Sequence, residues 1–145
     1  MRKLLRNQAL RGVDRLITGT LGDQKWYVPG GWFATTHPIY DGYRVLKSQM
    51  SPDECGHPDM TAIVTGLSVQ KHATERQRLT EGDAEFMTLR TIDEFTPRKV
   101  SALYFDFLTD IHPDAEIRVS ENEKFAPVGF YENNNLVALL MPVKG

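Results

Sequence analysis

The sequence predicts an α+β fold: a mainly antiparallel sheet with two helices on one face. Three observations predict it. Short apolar runs recur between Gly-, Pro- and Asn-containing turns, as in a chain of antiparallel strands. Two stretches instead space their apolar residues as a helix does. The segment 96–143 then feeds a helix into three strands separated by polar turns, which puts helix and sheet side by side. The 145 residues suit one domain, 1–145, with enough chain for a single core.

Met1–Arg6 has apolar Leu4 and Leu5 and reads as a first strand. Asn7 is a natural cap, and Ala9, Leu10, Val13, Leu16 and Ile17 then share one helical face, predicting a helix over 8–18 that stops at Gly19. Gly22–Gln24 reads as a turn. Lys25–Val28 and Trp32–Thr36 flank Pro29-Gly30-Gly31, a hairpin connection because proline presets one turn dihedral and glycine permits positive φ. Tyr43–Lys47 is a further strand. Residues 48–60, with two prolines and several acids, lack an apolar period and read as a loop.

Thr61–Thr65 resumes strand chemistry, with Leu67 and Val69 as its continuation. Lys71–Asp83 is polar apart from Leu79, either a long exposed hairpin tip or a short surface helix. Ala84–Ile92 is a strand. Thr96-Pro97 opens the second helix, where proline's missing amide costs nothing, and Val100, Leu103, Tyr104, Phe107, Leu108 and Ile111 form its apolar face. His112-Pro113-Asp114 ends it. Strands follow at 115–120, 126–131 and 136–143.

Composition narrows the function classes. Hydrophobic residues make up 41% and charged residues 25%, an ordinary globular balance. With 17 basic and 19 acidic side chains the net charge is −2, so no global basic bias points to nucleic acid. The single cysteine, Cys55, leaves no intramolecular disulfide to form and fits a reducing compartment. No apolar run approaches the roughly 20 residues that span a bilayer, and Met1–Arg6 lacks the apolar core of a secretory signal. A cytoplasmic protein without membrane contact is expected. Cys55 and His57 sit close in Asp53–His57, but a structural zinc site takes four ligands in spaced pairs, and His37, His72 and His112 fall on separate segments. Neither a nucleophile elbow nor a phosphate-cradling glycine loop is present. The expectation is a non-enzymatic protein with no cofactor and no metal.

The last third contains Phe95-Thr-Pro97, Tyr104–Leu108, Ala115–Ser120, Ala126-Pro-Val-Gly-Phe130 and Ala138–Val143 with its Met-Pro ending. In these segments it resembles one domain of the bacterial sliding-clamp family, the β-subunit processivity factors of DNA polymerase. Gly19-Thr-Leu-Gly22 is similar in outline, while Trp32–Thr36 followed by Tyr40–Leu46 matches only with extra residues between. Family members carry three such domains per chain and pair into a ring; this chain has length for one.

The resemblance implies a DNA-replication role, homo-oligomerisation, or mimicry of a clamp by a phage or mobile-element protein that binds clamp partners. It implies phosphate contact by helix-borne cations at Arg11, Arg15, Arg98 and Lys99, a salt-sensitive term without sequence preference. It also implies capture of short linear peptides by Leu140, Met141, Pro142 and Val143, where flexible methionine suits varied ligands. The competing expectation is a phage- or plasmid-type counter-defence or ligand-binding module. Its pocket would be formed by the aromatic residues around Trp26, Trp32 and Tyr43, which can stack a base or small ligand. Each set has an ordinary alternative: a solvated helix face for the cations, a core-facing last strand for 140–143, and sheet packing for the aromatics.

Overall fold

The protein was analysed as a computed structural model, which describes residues 16–21, 24–29, 33–40, 70–91, 98–120 and 126–143. These form β1 (Leu16–Leu21), β2 (Gln24–Pro29), β3 (Phe33–Thr35), a 3-10 turn at Pro38–Tyr40, β4 (Gln70–His72), β5 (Glu75–Glu81), β6 (Ala84–Arg90), β7 (Arg98–Ser101), α1 (Ala102–Ile111), β8 (Glu116–Ser120), β9 (Val128–Glu132) and β10 (Asn135–Leu140). Every described strand pairing is antiparallel. The strands make one sheet in the order β1-β2-β3-β10-β9-β8-β4 and a second in the order β5-β6-β7. With α1 against them, the described part is an α+β arrangement dominated by antiparallel sheet.

Two helical expectations change. Of the helix expected over 8–18, residues 8–15 lie outside the described residues, and Leu16–Thr18 belong to β1, paired with Val28 and its neighbours. Ile17, Thr18 and Thr20 are β-branched, which favours a pleated strand once a partner strand lies alongside. The second helix begins at Ala102 rather than Thr96, because Arg98–Ser101 pair with Phe86–Leu89 as β7. Ser101 is the N-cap, in extended conformation, with Oγ accepting from the Tyr104 N–H at 3.4 Å. Among the described residues α1 is the one α-helix. The strands expected at 43–47 and 61–69 and the loop 48–60 lie outside the described residues.

Elsewhere the turn chemistry selects the geometry. Lys71–Asp83 resolves as strand and hairpin: Glu81 faces Ala84 across Gly82-Asp83, with Gly82 at φ 61°. Positive φ at the first central residue alone is the type II′ signature, and there glycine escapes the Cβ clash. Glu132 faces Asn135 across Asn133 (φ 51°) and Asn134 (φ 65°), the two positive angles of a type I′ turn.

The main core joins both sheets through α1. Leu89, Val100, Phe107, Leu108, Ile117, Val119, Val128, Phe130 and Ala138 are each fully shielded and belong to one cluster. Phe33 meets Tyr104 and Phe107 at centroid distances of 5.2 and 5.8 Å, and Phe105 meets Phe130 at 6.0 Å, within the range of favourable aromatic pairs. Burying each such side chain contributes about 1.5–3 kcal/mol. A second cluster, Trp26, Val28, Ala34 and Leu139, occupies the alternate positions of β2, β3 and β10, so this sheet is buried on both faces there.

Candidate functional site

A buried polar group lies where α1 ends. His112 follows the helix as its C-cap, its N–H bonded to Leu108 O at 2.9 Å and its own carbonyl accepting from Ala115 N–H at 3.1 Å. That fixes the backbone and sends the imidazole toward β3 and β9. Nε2 lies 2.7 Å from Thr35 Oγ1, and Nδ1 lies 3.4 Å from Glu132 Oε1. Thr35 Oγ1 also accepts the His37 N–H at 3.0 Å, and His37 Nδ1 accepts the Ile39 N–H at 3.0 Å. The two imidazoles stand edge to face at 5.8 Å.

The proton positions follow from the tautomer. A carboxylate can only accept, so the tautomer with the proton on His112 Nδ1 suits the Glu132 side, and in that tautomer Nε2 accepts from the Thr35 hydroxyl. Burial pushes His112 below its usual range, Glu132 pulls it up, His37 lowers it further, and the net direction is down. The neutral form is thereby favoured.

Carboxylate, imidazole and hydroxyl in this order match the layout of a nucleophilic relay. Access decides against that use: Thr35 is 0% exposed and sits within β3, so its hydroxyl reaches no substrate in this conformation. The group ties three elements together, and its chemistry is that of a buried, satisfied pin.

The residues singled out by sequence are placed differently from one another. Arg11, Arg15, Trp32 and Tyr43 lie outside the described residues, as do Cys55 and His57. Arg98 lies in β7, 2% exposed, and its guanidinium donates to the Ser120 carbonyl. That corrects the picture of a helix-borne cation facing solvent: β7's pairing turns this position into the core. Lys99, on the opposite face of β7, is paired with Glu81 at 2.7 Å and sits 4.3 Å from the Phe86 centroid. Trp26 is 1% exposed and packs on Val28, Ala34 and Leu139, so it is core rather than pocket wall. Leu140 likewise faces the core, whereas Met141 is 38% exposed just past the end of β10. Pro142 and Val143 are half-buried, and the Val143 N–H bonds Lys99 O at 2.8 Å, running the chain end along β7.

Sequence reasoning missed Thr35, His112 and Glu132 as a group. Thr35 and His112 are 77 positions apart, and His112 beside Pro113 carries the signal of a helix stop. It also missed how the charges of the β5–β6 hairpin are consumed. All seven β5 residues are exposed, yet Arg90 pairs with Glu75, and Arg78 makes a two-pronged contact with Asp106 at 3.0 and 3.1 Å. A shallow depression lined by Glu75, Arg76, Gln77, Thr88 and Arg90 lies over the first of these pairs. Charges along an edge strand discourage pairing with another chain, which is the ordinary use of such a pattern. Among the described residues no three His, Cys, Asp or Glu side chains converge as metal ligands, and no helix is long and apolar enough to cross a membrane.

Comparison with protein-family models, with curated proteins and with solved structures finds no match to this chain.

Proposed function

We propose that the chain is a non-enzymatic interaction protein with a clamp-like α+β domain, acting beside DNA-replication proteins and capturing short apolar peptides at its Met141–Val143 end. One observation carries this reading. Met141 is one of two exposed large hydrophobic residues among the described residues, and it stands where the Met-Pro end leaves β10 and turns along β7. An exposed, flexible thioether beside half-buried Pro142 and Val143 suits a shallow apolar site for varied sequences. Support for the clamp-like outline comes from the β7-α1-β8-β9-β10 order over 98–140, a strand and helix followed by three antiparallel-paired strands. Pairing of several copies and phosphate contact through Arg11 and Arg15 belong to the same proposal; Arg98 is not part of it.

The test is fluorescence anisotropy with labelled apolar peptides from clamp-binding proteins, alongside native mass spectrometry. Micromolar binding that Met141→Asp weakens about tenfold or more, roughly 1.4 kcal/mol, is the expected result. No binding by the folded protein, or binding indifferent to Met141→Asp, refutes the peptide site. A strict monomer at micromolar concentration refutes the assembly.

A further inference from the structure

The Thr35–His112 group has a consequence independent of the peptide site. We infer that Thr35, His37, His112 and Glu132 form a proton-operated latch, which keeps the turn at 37–40 closed onto Thr35 at the end of β3 at neutral pH and opens it on acidification.

Both histidines are held through a nitrogen that must lack a proton. His37 Nδ1 accepts from the Ile39 N–H; a proton there turns the acceptor into a donor facing a donor, and the bond is lost. In the tautomer with its proton on Nδ1, beside Glu132, His112 accepts from Thr35 through Nε2. A proton there makes the Thr35 oxygen accept twice, from Nε2–H and from the His37 N–H, and strands the hydroxyl proton in a fully shielded site. The rings stand 5.8 Å apart, so charging one opposes charging the other.

The groups facing His112 from each packed element work in both directions. Glu132 of β9 and the C-terminal end of α1 favour the cation; burial and His37 of the 37–40 segment oppose it, and Thr35 of β3 is neutral. Glu132 is partly solvent-screened and 3.4 Å away, and His112 is held below its usual range. Charging is therefore resisted while the latch is closed and freed when it opens.

The segment has a defined hinge. Thr36 is anchored separately, its N–H at 2.9 Å and its hydroxyl at 3.0 Å from the Val137 carbonyl. Beyond it, Ile39 packs on the main core and its amide depends on His37. Acidification thus loosens 37–40 while Thr36 and β3 stay paired to β10.

Amide hydrogen exchange by NMR on the full chain, corrected for intrinsic rates, tests this between about pH 7.5 and about pH 5.5, the range in which histidine charges. Ile39 protection is expected to fall by up to about tenfold per pH unit for each histidine that charges on opening. Thr36 and Leu108 should keep theirs. In His37→Asn the carboxamide oxygen can accept the Ile39 N–H but cannot titrate, so the fall should shrink. Equal Ile39 protection at both ends overturns the latch. So does loss of Ile39, Thr36 and Leu108 protection together, which would be global acid unfolding, or an undiminished fall in His37→Asn. The wild-type titration decides alone if that variant fails to fold.

Discussion

Arg98→Ala separates a core arginine from a phosphate-binding one. Arg98 is 2% exposed, and its guanidinium donates to a carbonyl of β8. Truncation leaves the Ser120 carbonyl buried without this donor, a cost of about 1–3 kcal/mol. It also removes two packed methylenes at about 0.8 kcal/mol each. The guanidinium's own desolvation is recovered, which trims the sum, so the expected loss is about 3 kcal/mol. For a chain of this size that lowers Tm by roughly 6–12 °C. Lys99→Ala next door should cost about 1 kcal/mol or less, because solvent at the half-exposed Glu81 screens its ion pair. Urea unfolding followed by tryptophan fluorescence gives both numbers. If Arg98→Ala unfolds within about 0.5 kcal/mol of the parent, the ordinary range for a surface change, the burial argument is wrong. If it instead weakens DNA binding at unchanged stability, the helix-face reading of this cation returns.

Phe107→Ala, at the centre of the main core, should cost about 3–5 kcal/mol in the same unfolding assay. Thr35→Val keeps the shape but removes the oxygen that both His112 and the His37 amide use, at an expected cost of about 1–3 kcal/mol by urea titration. Because His112 is held below its unfolded range, its neutral form contributes stability above about pH 6.5 that is lost as pH falls through the folded value. The slope from this one group is at most about 1.4 kcal/mol per pH unit, and denaturation midpoints measured across pH should show it diminished in His112→Gln. Gly82→Ala should cost about 1 kcal/mol through backbone strain alone, since an added Cβ meets nothing within 4 Å; thermal melting checks it.

Much of the strand pattern was legible because it is written locally. The alternation in 84–92 and 115–120, and the Asn133-Asn134 turn, each depend on residues within a few positions, and the structure has β6, β8 and the β9–β10 hairpin there. The apolar face of α1 was legible in part: Phe107, Leu108 and Ile111 are buried as expected, whereas Val100 belongs to β7, Leu103 and Tyr104 are half-buried, and Phe105 joins the core from outside the expected face. The start of α1 was not legible, since Thr96-Pro97 and Ser101 are both competent caps. Pairing of 98–101 with β6 chose between them, and no local signal carries that pairing. β1 failed likewise: Leu16 and Ile17 fit a helical face by spacing, and the partner strand 24–29 overrode it.

The sequence by itself determined a mainly antiparallel α+β chain and the asparagine turn between β9 and β10, while the glycine turn at Gly82 was left open between hairpin and helix. The tertiary structure decided which charges are spent inside. Arg98 and Lys99 are adjacent and chemically alike, yet strand alternation sends one into the core and the other over Phe86. It also decided that His112 meets Thr35 and Glu132. Side chains so far apart in the chain become neighbours only when α1's end is docked between β3 and β9, because proximity between elements is set by packing and not by spacing.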